Sequence, residues 1–220
     1  MSLWIKICGN TSVEDALLAA EAGADAVGFV FARSPRQVTV DKAAAIVLPL
    51  PKEIEKIGVF VDASSEEIAS AIEACGLTGV QLHFDAKSDA PARLRQHFGP
   101  DLRILRVVHF EACAADKAHA IASDPDVDAI LVDSRTATAV GGTGIAFDWE
   151  SAGRSLFKDL NAEVQLVVAG GLTPTNVVDA IRMLSPWGVD VVSGVEASPG
   201  RKDPEKVRQF IANARALTLA

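Results

Sequence analysis

Eight short apolar runs, each followed by a turn and an alanine-rich amphipathic stretch, constrain this chain more than any other feature. The runs are Trp4–Cys8, Ala26–Phe31, Lys56–Val61, Gly79–His83, Arg103–His109, Ala129–Asp133, Val164–Ala169 and Val189–Ser193. They are rich in valine and isoleucine, as parallel strands covered on both faces must be. The helical patterns cover Ser12–Ala22, Asp41–Leu48, Ser65–Ala74, Ala90–Phe98, Glu111–Ser123, Asp148–Leu156, Pro174–Leu184 and Asp203–Leu217. Helix starts are signalled by Thr11-Ser12 before Glu14, by Ser64 before Glu67, and by Thr173-Pro174, where proline suits a first helical turn. Eight strand–helix units with no linker predict an α/β chain with one domain over residues 1–220, a (β/α)8 TIM barrel of parallel strands. The alternative is an open doubly wound sheet. That arrangement leaves the last strand at an edge, and no GxGxxG follows the first run to make a dinucleotide site.

At 220 residues and 49% hydrophobic, the chain can bury one sizeable core. The net charge of -8 arises from 29 acidic against 21 basic residues, and no lysine/arginine block stands out. Nucleic acid and anionic membrane surfaces are therefore not expected partners. An anionic substrate would need local donors to offset the overall field. Three cysteines, Cys8, Cys75 and Cys113, are too few and too scattered for a disulfide framework or a metal cluster, which fits a reducing compartment. No basic segment leads a long apolar stretch at the N-terminus, and no run approaches the roughly 18 apolar residues of a membrane span. The expected setting is the cytoplasm, with no membrane partner.

A parallel barrel carries its active site at the carboxyl ends of its strands. That rule selects Cys8, Arg36, Asp62, His83, His109, Asp133, the glycines after runs six and seven, and Ser193-Gly194. In "IKICGN", alternation puts Trp4, Lys6 and Cys8 on one face and Ile5 and Ile7 on the other. Cys8 then reads either as a small buried hydrophobe, which its residue type favours, or as a thiol at the rim with Lys6 promoting the thiolate. Lys6 equally suits an ion pair with an interior acid. Asp133 ends run six on the face of Ala129 and Leu131, where it either caps a loop or faces the pocket. Gly141, Gly142 and Gly144 let backbone amides approach an anion, or let a loop move. "AGGLTPTNV" and "VSGVEASPG" set Gly170, Gly171, Ser193 and Gly194 where such barrels bind phosphate beside the N-terminus of a short helix. Two such loops in the two correct positions favour phosphate binding over turn chemistry. Arg36, in "ARSPRQV", is a solvated arginine or a fork for carboxylate or phosphate, with Arg33 a lesser competitor. Asp190 and Arg106 lie inside runs and either line the pocket or join an interior ion pair. Two histidines, His83 and His109, without carboxylates at matching strand ends do not make a metal site. Phe147 and Trp149 are expected to pack.

The segments "KICGN", "EAGADAVGFVFARSPRQV", "GVQLH", "ILVDS…GGTGIAFDW", "AGGLTPTNV" and "GVDVVSGVEASPGRKD", in this order from about residue 4 to residue 203, resemble the phosphoribosylanthranilate isomerase family of tryptophan biosynthesis. The resemblance implies an Amadori rearrangement without metal or cofactor. Its small phosphorylated substrate, N-(5′-phosphoribosyl)anthranilate, becomes the 1-deoxyribulose ketone. The resemblance implies Cys8 as general base, Asp133 as general acid and Arg36 as holder of the anthranilate carboxylate. It implies phosphate binding at Gly170-Gly171 and Ser193-Gly194, with Gly142 and Gly144 nearby, while Lys6, His83 and Asp190 are pocket candidates. A monomer or homodimer is expected. The chain departs from the family pattern at Phe84, where glycine is common, at Gln37, where tyrosine is usual, and at Val192, where serine is frequent.

Strands one and six are three steps apart around an eight-strand ring, so Cys8 and Asp133 would face each other across the mouth, with Gly9 leaving the substrate room. A free cysteine has a pKa of about 8.5, so help from Lys6 or a helix N-terminus is expected. An ordinary aspartic acid is protonated in about one molecule in a thousand at pH 7, so an acid role calls for burial or a like-charged neighbour. Two other readings remain open. One is another phosphosugar barrel, such as an epimerase, which would need metal-ligating groups at strand ends. The other is a barrel that binds a phosphorylated metabolite without turnover.

Overall fold

The computed structural model describes residues 3–83, 88–110, 114–133, 157, 160 and 164–217. Eight parallel strands close a barrel in chain order: β1 (Trp4–Ile7), β2 (Ala26–Val30), β3 (Glu55–Val61), β4 (Gly79–His83), β5 (Arg103–His109), β6 (Ala129–Asp133), β7 (Gln165–Ala169) and β8 (Gly188–Val191). β8 pairs with β1 from Trp4↔Gly188 to Ile7↔Val191, which removes the edge that an open sheet would leave. The described helices are α1 (Val13–Glu21), α2 (Val40–Val47), α3 (Ser65–Cys75), α4 (Ala90–Phe98), α5 (Ala114–Ala122), α6 (Val177–Leu184) and α7 (Pro204–Ala216). The helical pattern at 148–156 lies outside the described residues. None of the described helices is long and apolar enough to cross a membrane.

Alternation sorts the strand residues into two layers. Trp4, Ile57, Leu105, Leu131 and Val167 fill the barrel interior. Ile5, Ile7, Val189 and Val191 pack with the helices instead. Asp133 has the parity of Leu131, and Lys6 that of Trp4, so both belong to the interior set. Arg106 sits between the interior Leu105 and Val107, on the parity of Ile104 and Val108, and is buried in the helix-side layer.

Several helix starts follow their local chemistry. Ser12 accepts from the Asp15 amide, and Ser64 and Glu67 form a complete capping box. Gly76, at φ 65°, closes α3 in the left-handed region. Other ends differ from expectation. The helix after β7 begins at Val177 rather than Pro174, because Asn176 holds the intervening turn: its Nδ2 donates to Gly171 O at 2.9 Å and its Oδ1 accepts from Thr173 N at 2.7 Å. β8 stops at Val191 rather than Ser193, since Val192 adopts φ -121°, ψ -85° and starts a short 3-10 turn over Ser193–Val195. An unanticipated antiparallel hairpin follows, β9 (Glu196–Ser198) with β10 (Arg201–Lys202). It turns back toward the carboxyl end of β1, where Thr11 Oγ1 donates to Gly200 O at 2.7 Å and Lys202 N to Asp15 Oδ2 at 3.0 Å.

Candidate active site

β1 stops at Ile7, yet Cys8 N still donates to Val191 O at 2.9 Å, so the thiol-bearing residue prolongs the β1–β8 ladder by one step. The next two amides, of Gly9 and Asn10, both donate to Gly28 O at 3.0 Å, and Asn10 Nδ2 donates to Ile7 O at 2.8 Å. The turn is thereby tied to β2. Gly28 sits directly against Cys8: a Cβ there would lie 2.5 Å from Cys8 Sγ and 3.0 Å from Lys6 Cε. The missing side chain of Gly28 is the space the thiol occupies.

Beneath Cys8, Lys6 is fully buried. Its ammonium donates to Asp190 Oδ1 at 2.8 Å and to Gln81 Oε1 at 2.9 Å, the register having set Lys6 beside Asp190. Of the alternatives open for Lys6, the interior ion pair is the one observed. With Oε1 turned to Lys6, the Gln81 amide nitrogen donates to His83 Nε2 at 3.1 Å, which makes His83 the neutral Nδ1–H tautomer. His83 in turn lies 5.9 Å, centroid to centroid, from His109. A polar chain thus crosses the barrel from β8 through β1 to β4.

The electrostatics differ from the expectation that Lys6 would make Cys8 a thiolate. Burial pushes the Cys8 thiol up, the Asp190 carboxylate adds to that, and the Lys6 and Lys202 cations only partly oppose it, so the net direction is upward. Burial also pulls the Lys6 ammonium down, but Asp190 and Cys8 outweigh it and hold Lys6 above its ordinary value. The cation therefore stays charged, and the thiol above it is largely protonated at neutral pH.

Asp133 closes β6, buried at 2% exposure, with its Cα beside those of His109 and Ala169 in the neighbouring strands. It lies three strands around the ring from β1, and it shares the interior face with Cys8. After β7, Gly170 and Gly171 have φ of 83° and 64°, the left-handed region that glycine adopts freely. Gly194 of the 3-10 turn presses on that loop so closely that a Cβ would fall 1.8 Å from Leu172 O. The loops after β7 and β8 are thus one unit, with Ser193 at its edge. Gly142 and Gly144, together with Phe84 and Cys113, lie outside the described residues.

Arg36 does reach this end of the barrel, but its fork is occupied. Nε donates to Glu196 Oε1 at 2.8 Å and Nη2 to Glu196 Oε2 at 2.7 Å. Gly9 makes room for that arginine: at φ 76°, a Cβ on Gly9 would lie 2.9 Å from Arg36 Cδ. On the side where a Cβ would stand, the space beside Gly9 is thus filled by Arg36. Gln37 ties its own loop by donating to Phe31 O at 3.0 Å, and Val192 packs 3.2 Å from that same missing Cβ on Gly9. Asp62 is exposed and stands at φ 51°. A cleft of about 830 Å3 opens beside β3–β5, lined by Asp62, His83, Val107 and His109 among others, and includes neither Cys8 nor Asp133. Among the described residues, no group of three or more His, Cys, Asp or Glu could hold a metal ion.

Sequence reasoning did not single out Gln81, Gly28, Glu196 or Lys202. Gln81 had a usable signal, a polar residue on the interior parity of a strand. Glu196 and Lys202 lay inside the quoted segment "GVEASPGRKD", but nothing local reveals that a hairpin folds them under β1.

The model of the N-(5'phosphoribosyl)anthranilate (PRA) isomerase family matches residues 5–213. The chain belongs to this isomerase family. The N-(5'-phosphoribosyl)anthranilate isomerase of Geobacter sp. (strain M21) is 43% identical over 215 residues, covering 97% of this chain and 98% of its own. A crystal structure of phosphoribosyl anthranilate isomerase in complex with reduced 1-(o-carboxyphenylamino)-1-deoxyribulose 5-phosphate is 32% identical. It superposes with a TM-score of 0.81 and covers 97% of this chain and 99% of the other. Monomers generated from the dimeric phosphoribosylanthranilate isomerase of Thermotoga maritima are 33% identical, with a TM-score of 0.80 and coverage of 97% and 99%. The isomerase in the first of these two structures thus binds a phosphorylated ligand, and the one from Thermotoga maritima is dimeric.

Proposed function

We propose that this chain catalyses the Amadori rearrangement of N-(5′-phosphoribosyl)anthranilate to 1-(2-carboxyphenylamino)-1-deoxyribulose 5-phosphate, a step of tryptophan biosynthesis. The observation that carries this reading is the placement of two buried proton-transfer groups, Cys8 and Asp133, on the interior face at the carboxyl ends of β1 and β6. Asp133 gives its proton to the furanose ring oxygen as the bond from that oxygen to C1 breaks, leaving an open-chain iminium. Cys8, as thiolate, takes the proton from C2, and the electron pair released neutralises the iminium to an enolamine. The enol then loses its hydroxyl proton while C1 gains one, so the product is an isomer of the substrate with no net redox change.

The substrate carries a phosphate and a carboxylate, and an acidic protein must receive both. The Gly170-Gly171 and Ser193-Gly194 backbone supplies amides for the phosphate, with Gly142 and Gly144 as further candidates from the sequence. Arg36 offers the carboxylate its remaining N–H groups. The raised thiol of Cys8 means that the base forms by transient deprotonation above Lys6, whose ammonium stabilises the anion when it appears. The reaction requires no cofactor, and the chain works in the cytoplasm as a monomer or homodimer.

Purified protein mixed with freshly made N-(5′-phosphoribosyl)anthranilate tests the reading. The fluorescence of the substrate should decay at a rate proportional to enzyme concentration, with the ketone as product. No decay above the uncatalysed rate would leave the chain a phosphometabolite-binding barrel.

A further inference from the structure

We infer that Glu196 is the positioning residue for Arg36: it holds one edge of the guanidinium so that the opposite edge is presented to the aromatic carboxylate of the substrate. The inference rests on the reading of Arg36 as the carboxylate holder and adds the group that makes that role possible.

The geometry is specific. Glu196 is buried, and its two oxygens take separate donors of one arginine, Nε at 2.8 Å and Nη2 at 2.7 Å. This side-on pairing uses two of the five N–H groups of the guanidinium. Both N–H groups of Nη1 and one of Nη2 remain, and one from each nitrogen forms the end-on edge, still able to take a second carboxylate through two parallel bonds. Only that edge stays available, so the orientation in which Arg36 can receive an anion is set by Glu196. A flexible arginine left alone would have to lose that freedom on each binding event.

Glu196 is itself held in place. Oε1 also accepts from Gly200 N at 3.2 Å, and Lys202 Nζ stands 3.5 Å away. The same Lys202 ammonium donates to Cys8 O at 2.6 Å, and Lys206 Nζ donates to the backbone oxygen of Glu196 at 3.0 Å. Burial works against the Glu196 anion, but the Arg36 bonds and the Lys202 charge outweigh it and keep the carboxyl below its ordinary range. The β9–β10 hairpin thereby delivers one fixed carboxylate beneath Arg36, tied through Lys202 to the backbone of the residue that bears the thiol. The side chain of Arg36 lies across Gly9, next to Cys8, which fits a fork aimed at the ring end of a substrate whose C2 sits at the thiol.

Two competitive inhibitors separate positioning from general support: the reduced product analogue with its ring carboxylate, and the same molecule with a plain phenyl ring. In Glu196→Gln, inhibition by the carboxylated compound should weaken about tenfold, while inhibition by the phenyl compound stays within about twofold of the parent enzyme. KM should rise by a similar factor, with kcat less affected. Glu196→Asp, which keeps the charge on a shorter stem, should recover part of the loss and serves if Gln does not fold. The Arg36→Ala, Glu196→Gln double variant should discriminate the two inhibitors no less than Arg36→Ala alone. Equal weakening of both inhibitors, or none, in the Glu196 variants would overturn the proposal while leaving Arg36 in its role. An Arg36→Ala enzyme that retains full preference for the carboxylated compound would instead remove Arg36 as carboxylate holder, and this inference with it.

Discussion

At the scale of single residues, the proposed chemistry turns on a thiol that burial makes a poor anion and neighbouring cations make a better one. Burial wins, so the thiolate fraction of Cys8 grows with pH through and above the ordinary thiol range. The base form is the anion, so alkylation of Cys8 by iodoacetamide, read at that cysteine by mass spectrometry, should speed up steadily from about pH 6.5 to about pH 9 without a plateau. A plateau inside that interval would mean that burial does not hold the Cys8 thiol above its ordinary range. Gly28 supplies a second residue-scale test. Because a methyl there would stand 2.5 Å from Cys8 Sγ, Gly28→Ala should displace the thiol and lower kcat by at least tenfold in steady-state assays. The parity of Lys6, Cys8 and Asp133 was legible in the sequence, since a period of two leaves a strand residue only two directions. What Gly9 and Gly28 make room for was not legible, because their neighbours, Arg36 and Cys8, come from other strands or the loops after them.

At the scale of elements, β4, β5 and β6 end where the apolar runs end, each on a polar or charged residue that stops the pattern. β8 stops short of the end of its apolar run, because Val192 extends the β-branched run in the sequence while the backbone has already turned. Pro174 misled in the same way: proline suits a helix start, but Asn176 captured the turn three residues before the helix. The hairpin of β9 and β10 was invisible because two short strands carry too few residues for any period to register. The contact between the loops after β7 and β8 is the element-scale claim most exposed to test. Gly194→Ala would set a Cβ 1.8 Å from a carbonyl oxygen, so the two loops must part. KM should rise at least tenfold, inorganic phosphate should inhibit more weakly, and overpacking should cost about 1–3 kcal/mol of stability in urea unfolding. Unchanged phosphate inhibition would detach these loops from the phosphate role.

For the molecule as a whole, closure of the barrel brings the first and last strands together, and the only described acid hydrogen-bonded to Lys6 lies across that seam. Lys6 and Asp190 are both buried, so removing the cation alone strands a carboxylate in the interior. Lys6→Met should cost about 3–5 kcal/mol in denaturant unfolding, and adding Asp190→Leu should restore most of it, since an apolar pair replaces an ionic one at little net cost. Additive losses in the double variant would show that the two residues do not act as a pair. The eight-unit rhythm made this closure legible from the sequence, because a repeat of strand and helix with no linker has few other ways to bury its last edge.

The measurement that bears most directly on the account is the turnover number of Cys8→Ala and of Asp133→Asn with N-(5′-phosphoribosyl)anthranilate, followed by loss of substrate fluorescence. Each variant should fall by about three orders of magnitude or more in kcat, with KM within a few-fold of the parent enzyme. Near-parental kcat in either variant would contradict the pairing of thiol and carboxyl on which the mechanism stands.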